Sequence, residues 1–444
     1  MLLTALSWRR RASVVPTALA AALLTVLSGL VTAPAQADNR VTPGNFTGYG
    51  FDQCNAPSQE AMDAWLTGSP FWAVGIYIAG DSRYCKTQEN LTPTWVATQL
   101  RHGWRLLPLT VGRQASCSTV DRYQGNRISG DPTDNYAKAR EQGRVEATTT
   151  VAAARELGIS ARSTLWFDLE HFDASRLRCR ESALSFLSAW TRRLHALGYV
   201  SGVYSSASSG IRALDDARVL TPGRFTMPDR VWIADWNGRA DVYSAYVRSD
   251  GWMPGGRVHQ YRGGHDERHG GVTINIDSNY MSLGRGSVAR APLPTCGVRV
   301  DYKTYRILGP GARHEQVKAV KCLLRQKRLF SLKITKNYNL TTERAMRRFQ
   351  ESRSLPATGK VTRRTWMRLL TEGITPVSKV GSTTHAIRRI QRGVNAATTS
   401  RIRVTGVYDE ATAAAVRTYQ AQVGLTRTGV VAADTWEMLR AGRF

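Results

Sequence analysis

Short apolar runs alternate with helical stretches from residue 48 to residue 284. The runs at 48–53, 72–79, 105–111, 164–170, 200–205, 230–236, 257–261 and 273–277 have the length and composition of buried strands. Between them apolar positions fall at helical spacing, most clearly over 135–157 and 181–197. Eight strands alternating with helices over about 240 residues predict an α/β fold, a (β/α)8 TIM-like barrel, with a doubly wound sheet as the competing arrangement.

Further along, the pattern turns purely helical and repeats at an interval of 70 residues. Tyr338 matches Tyr408, and Thr342 matches Thr412. Phe349-Gln350 matches Tyr419-Gln420, Thr358-Gly359 matches Thr428-Gly429, and Thr365-Trp366 matches Thr435-Trp436. Such self-similarity marks a duplicated structural unit. Each copy predicts a small all-α domain of three helices. The first is built on Val317, Val320 and Leu324, or on Ile387, Ile390 and Val394. The second opens at Thr342 or Thr412, where a hydroxyl can cap it. A glycine turn leads to the third, whose Trp366 or Trp436 belongs to the core. The expected domains are a signal peptide (1–37), a barrel (38–290) and two repeats (297–373 and 377–444).

The N-terminus changes the functional picture. Arg9-Arg10-Arg11 precedes an apolar run from Val14 to Val31, and Ala35-Gln36-Ala37 supplies a small-x-small cleavage pattern. This predicts a secretory signal peptide, with no stable membrane anchor after its removal. A retained anchor is the competing reading, opposed by Pro16 and the Ala-x-Ala end. The arginines hint at twin-arginine export but fit its pattern poorly. The formal charge of +27 is concentrated near the other end: residues 297–444 hold 29 Lys/Arg against 9 Asp/Glu. A basic surface implies a polyanionic partner, and export directs that expectation to a cell wall rather than to nucleic acid. The six cysteines form no CxxC pair and, in an exported chain, predict disulfides rather than a metal site. Cys296 and Cys322 bracket the start of the first repeat and are expected to pair, while Cys54, Cys85, Cys117 and Cys179 admit three connectivities.

Acids fall at the ends of the predicted strands: Asp52 on the first, Asp168 and Glu170 on the fourth, Asp235 on the sixth and Asp277 on the eighth. Catalytic sites of such barrels form at the C-terminal strand ends. Asp168 and Glu170 are two residues apart and so share one strand face. Carboxylates there are costly unless they are used. Asp235 serves equally well as a cap or an arginine partner. Paired carboxyl groups suit glycoside hydrolysis, in which one donates a proton to the leaving oxygen while another stabilises developing positive charge. Tyr77, Tyr204, Trp236 and Tyr261, near the strand ends, are candidates to stack on sugar rings, or else to pack.

The segments Gly50-Phe51-Asp52, Trp166-Phe167-Asp168-Leu169-Glu170, Val231-Trp232-Ile233-Ala234-Asp235-Trp236, His259-Gln260-Tyr261 and Ile276-Asp277-Ser278-Asn279 resemble family-25 lysozymes, in that order. With Gly48-Tyr49-Gly50-Phe51-Asp52-Gln53-Cys54 and Gly75-Ile76-Tyr77-Ile78-Ala79-Gly80, the stretch resembles more closely the actinobacterial glycoside-hydrolase-like family of exported proteins. The resemblance implies Glu170 as general acid, Asp168 and Asp277 as orienting or stabilising groups, Asp52 at the sugar subsite and Gln260 among the substrate-binding residues. The repeats resemble the peptidoglycan-binding module of wall hydrolases. The second copy keeps the whole pattern from Ala415 to Leu439, and the first is more basic and has Ser354-Leu355 for Gly-Leu.

Together these features predict a secreted, wall-associated, muramidase-like glycoside hydrolase held on peptidoglycan and anionic wall polymers by its repeats. It is expected to act as a monomer with no cofactor, metal or nucleic acid. The competing reading is a non-catalytic wall protein that binds glycan in a retained cleft.

Overall fold

The computed structural model describes residues 39–444; the predicted signal peptide lies outside them. Strands β1 (Phe46–Asp52), β2 (Ala73–Ala79), β3 (Arg105–Thr110), β4 (Thr164–Leu169), β5 (Val200–Ser206), β6 (Arg230–Ala234), β7 (Gly256–His269) and β8 (Val272–Leu283) close a barrel in sequence order. Helices α1 (Gln59–Gly68), α2 (Pro93–His102), α3 (Thr133–Glu156), α4 (Leu177–Ala196) and α5 (Arg212–Leu220) fill the first five crossovers. Strands β1 to β7 pair in parallel.

The closed α/β barrel is the expected one, but its last quarter departs from strict alternation. Only irregular chain links β6 to β7, and β8 returns directly, antiparallel to both β7 and β1. Gly270 and Gly271 make the turn with φ of +56° and +87°. A two-residue hairpin of this twist needs positive φ at both central positions, which glycine adopts without strain. The strands predicted at 257–261 and 273–277 are therefore the halves of one long ribbon. Asp277 consequently does not stand at the C-terminal end of its strand. It sits where β8 enters the barrel, in register with Asp52.

Bulky side chains plug the barrel: Phe46, Trp72, Leu107, Leu109, Trp166, Trp232, Val258 and Met281 form one buried cluster. A larger apolar layer joins the outer strand faces to the helices, through Trp65, Trp104, Phe167, Phe186 and Trp190 among others.

The first repeat folds as α6 (Glu315–Gln326), α7 (Leu340–Glu351) and α8 (Arg363–Thr371), the second as α9 (Ala386–Ala397), α10 (Glu410–Gln422) and α11 (Ala433–Ala441). Their shared residues have shared tasks. Gln350 donates to the Lys360 carbonyl and accepts from Gly359 N–H, and Gln420 does the same with Val430 and Gly429. The Tyr338 and Tyr408 hydroxyls donate to the Gly359 and Gly429 carbonyls. Trp366 and Trp436 are buried, as predicted. The caps of α7 and α10 differ from expectation: Asn339 and Asp409 accept from the Thr342 and Thr412 N–H groups, at 3.1 and 2.9 Å. The threonine hydroxyls donate to the same carboxamide and carboxylate oxygens.

The second repeat is seated on the base of the barrel, where the parallel strands begin. Lys379 is 1% exposed, and its Nζ donates to the carbonyls of Leu66 (2.8 Å), Ser69 (3.1 Å) and Trp65 (3.4 Å). These close the C-terminal turn of α1. Pro70 has no N–H to offer the Leu66 carbonyl four residues back, so the lysine supplies the missing donor. The ammonium also lies 4.7 and 4.9 Å from the ring centroids of Trp72 and Trp104. Trp72 Nε1 donates to Ser382 Oγ at 3.1 Å, and Ser287 Oγ donates to the Gly381 carbonyl at 2.8 Å. Among the described residues, no helix is long and apolar enough to cross a membrane.

Candidate active site

Three strands bring four carboxyl groups to the opposite end of the barrel. A cavity of about 310 Å³ opens there, lined by Asp52 and Asp277 on one side and Asp168 and Glu170 on the other. Tyr77 and Arg122 also line it. Asp52 ends β1 and Asp168 lies near the end of β4, with Glu170 one residue beyond that strand. Gln114 fixes this last turn, donating to the Asp168 carbonyl and accepting from Glu170 N–H, both at 2.8 Å.

The Asp52 wall is a continuous polar network. Asn279 Nδ2 donates to Asp52 Oδ1 at 2.6 Å, and Trp232 Nε1 holds Asn279 Oδ1 at 2.7 Å. Gln260 Nε2 lies 3.3 Å from both Asp52 Oδ1 and Asp277 Oδ2, bridging the two acids. The amide oxygen of Gln260 accepts from Tyr204 (3.1 Å) and Trp236 (2.9 Å). Tyr204 and Gln260 therefore support the carboxylates from beneath the cavity lining. Trp236 remains 67% exposed, its indole laid over Gly263 of the ribbon, where an added Cβ would come 2.5 Å from the ring.

Two predicted residues are placed elsewhere. Tyr261 follows Gln260 on β7 and alternates to the outer face, away from the cavity lining. Asp235 ties down the loop after β6 instead: its Oδ2 accepts from Ser244 Oγ at 2.7 Å, and its carbonyl binds His259.

Environment separates the four acids. Asp52 is buried, and desolvation, followed by repulsion from Asp277, pushes it up to about 8 against the pull of Asn279, Gln260 and Tyr77. Desolvation, then Glu170 and Asp52, raises Asp168 well above its ordinary value. Asp168 Oδ1 is buried without a hydrogen-bond partner. Asp277 is raised by desolvation, opposed by the Gly264 N–H and by His265. Glu170 is raised by desolvation, opposed first by Arg122, although 42% of its side chain is exposed. That exposure moderates the shift and leaves Glu170, like the half-buried Asp277, open to a large substrate, whereas Asp52 and Asp168 are buried. Among the described residues, no cluster of His, Cys, Asp and Glu could hold a metal ion.

Arg122 and the disulfides had no role in the sequence reading of the site. Arg122 lies 3.9 Å from Glu170 and stacks on Tyr123. Its loop is stapled to α4 by Cys117–Cys179, while Cys54–Cys85 joins two loops at the cavity wall. Cys296 pairs with Cys322 as expected.

A barrel of this kind, with acids grouped at the strand ends and helical repeats behind it, defines a glycoside-hydrolase-like wall protein. Residues 63–281 match the Rv2525c-like, glycoside hydrolase-like domain, and residues 313–369 and 383–439 each match the putative peptidoglycan binding domain. The chain thus joins an Rv2525c-like barrel domain to two peptidoglycan-binding domains. No curated protein matches it. Similar solved structures include an uncharacterized B. stearothermophilus protein (19% identity, TM-score 0.33, 53% of this chain and 95% of that one). The Mycobacterium tuberculosis Tat-secreted protein Rv2525c, in complex with L-tartrate, is 10% identical (TM-score 0.36, 54% and 98% covered). The modular autolysin LytC from Streptococcus pneumoniae is also 10% identical (TM-score 0.34, 53% and 46% covered). The domain content makes this a wall-associated, glycan-related protein.

The buried acids give stability a pH signature. A carboxyl group raised on folding binds its proton more tightly in the native state. Its contribution is complete below the ordinary carboxylate range and is lost as pH rises through the native value. For Asp52 the loss spans about pH 4 to about pH 8. Asp52→Asn cannot ionise and is expected to flatten that decline, raising Tm at pH 8 by a few degrees. Calorimetry from pH 5 to 8.5 checks this; a variant with the wild-type slope would exclude Asp52 as its source.

Proposed function

We propose that the protein is an exported glycoside hydrolase that cuts peptidoglycan or a related glycan while its repeats hold it to the wall. The observation that carries this reading is the division among four carboxyl groups in one cavity. Glu170 has a raised proton affinity and is partly exposed, as Asp277 is, while Asp52 and Asp168 are buried. Glu170 is the general acid that protonates the glycosidic oxygen. Asp277, whose ionised form is favoured by Gly264 N–H and His265, steadies positive charge at the anomeric carbon or orients an N-acetyl group of the substrate. Asp168 supports that role from β4, and Asp52 anchors the sugar subsite. Trp236 offers an exposed aromatic face for a sugar ring near Gln260.

Arg122 favours the alternative, a glycan-binding protein without turnover, because a guanidinium beside Glu170 stabilises the carboxylate over the acid. Release of reducing ends from purified walls separates the two: time-dependent release supports the hydrolase, and its absence with every wall glycan, alongside retained binding, supports the alternative. Wall retention should also fall with salt, since exposed charges are screened within about 10 Å at 0.1 M. Sedimentation from 0.05 to 0.5 M salt would count against an electrostatic contribution if retention did not change.

A further inference from the structure

The two repeats use one loop in opposite ways. Residues 379–382 of the second repeat are buried against the barrel, while the equivalent residues 309–312 of the first are exposed or half-buried. The backbone is the same in both. Leu308 bridges Val361 as Ser378 bridges Val431, and Gly311 N–H donates to the Tyr338 carbonyl as Gly381 does to Tyr408. The surroundings differ. A Cβ on Gly381 would meet Phe46 at 2.3 Å and the Thr47 carbonyl at 2.6 Å, whereas one on Gly311 would meet nothing within 4 Å. That loop of the second repeat is therefore consumed by the barrel and unavailable to a ligand.

The side chains around the loop follow the same division. Arg313, Lys336 and Lys360 are exposed in the first repeat, and Lys360 packs against Gly309. The corresponding positions of the second repeat are Thr383, Gly406 and Val430. None of the three cations has an ion pair or a side-chain hydrogen bond within the described residues, although Lys336 acts on Glu315 through space. The surrounding charge agrees: residues 297–373 hold 19 Lys/Arg against 5 Asp/Glu, and residues 377–444 hold 10 against 4.

Resting on the wall-bound reading proposed above, we infer that the repeats have separate roles. The second is a clamp that fixes the pair to the base of the barrel, and the first holds the anionic polymer of the wall on the face formed by Arg313, Lys336 and Lys360. The duplicated loop thus serves a protein partner in one copy and a polyanion in the other. The clamp's own contacts lie at the base of the barrel, away from the acids, so they leave the cavity free for a glycan strand.

The test compares two charge-matched variants of the full chain on purified walls. Arg313→Gln with Lys336→Gln and Lys360→Gln removes the proposed face. Arg401→Gln with Arg403→Gln and Arg427→Gln removes three exposed cations of the second repeat. Loss of three cations from an anionic contact should make the first variant bind walls more weakly by about tenfold or more at low salt. The second should stay within about twofold of wild type. On walls stripped of their anionic polymers, the first variant and wild type should sediment equally. Equal loss from both variants, or equal weakening on stripped walls, overturns the assignment of this face while leaving wall binding intact. Failure of wild type to sediment with either wall overturns the wall-bound reading itself. Circular dichroism of both variants checks that the fold is unchanged.

Discussion

Replacing Glu170 by glutamine is expected to abolish glycan cleavage while leaving wall retention unchanged. The amide keeps the size and hydrogen-bonding reach of the side chain but has no proton to transfer, and loss of a general acid costs about 10²–10⁴ in rate. Retention is unaffected because the cavity and the repeats occupy different ends of the molecule. Asp277→Asn should slow cleavage less completely, since Asp277 acts on charge and orientation. Arg122 supplies an independent check. Its positive charge is the main influence opposing the upward shift of Glu170, so Arg122→Gln should raise the acid further and move the alkaline limb of the pH–rate profile upward. Reducing-end release by the three variants and wild type, measured across pH on one wall preparation, reads all of these effects. Wild-type rates in Glu170→Gln would remove Glu170 from the role of acid. An unmoved alkaline limb in Arg122→Gln would show that another group sets it.

The sequence exposes what depends on local pattern. Strand spacing predicts a barrel, the 70-residue interval predicts duplicated helical units, and strand-end acids gather Asp52, Asp168 and Glu170. The ribbon is less visible because its polar stretch from Arg262 to His269 carries no apolar alternation, although Gly270-Gly271 is a recognisable hairpin turn. Missing that turn puts Asp277 at a strand end, when register with Asp52 is what brings it to the cavity. Period-two alternation separates Gln260 from Tyr261, but only the strand's orientation says which of them faces inward. Arg122 sits in a loop whose path is fixed by a disulfide to Cys179, 62 residues from Cys117. Nothing near it in sequence signals proximity to Glu170. The docked second repeat is similarly hidden, because Lys379 meets residues more than 300 positions away.

That docking makes Lys379→Met the most informative stability variant. Methionine preserves much of the stem and its packing against Trp72 and Trp104, but it cannot donate. The carbonyls of Leu66 and Ser69 would then be buried without the donor that now serves both. Trp65 is less affected, because Ser69 N–H and Oγ also reach its carbonyl. Burial pushes Lys379 well below its ordinary value, so the native site pays a desolvation cost that methionine does not. The lost hydrogen bonds to backbone carbonyls at a helix C-terminus outweigh that relief, because two acceptors are left unmet and Pro70 blocks any local substitute. The net expectation is a loss of about 2–4 kcal/mol, confined to the joint between barrel and repeats. Calorimetry should show one wild-type transition dividing into separate transitions for barrel and repeats, since each part has its own apolar core. Ser382→Ala removes the acceptor shared by Trp72 Nε1 and the Lys379 N–H, and should cost about 1–2 kcal/mol without dividing the transition. If Lys379→Met melts as wild type does, the ammonium is replaceable at the joint, and the clamp must reside in the Gly381 approach to Phe46 and Thr47 instead.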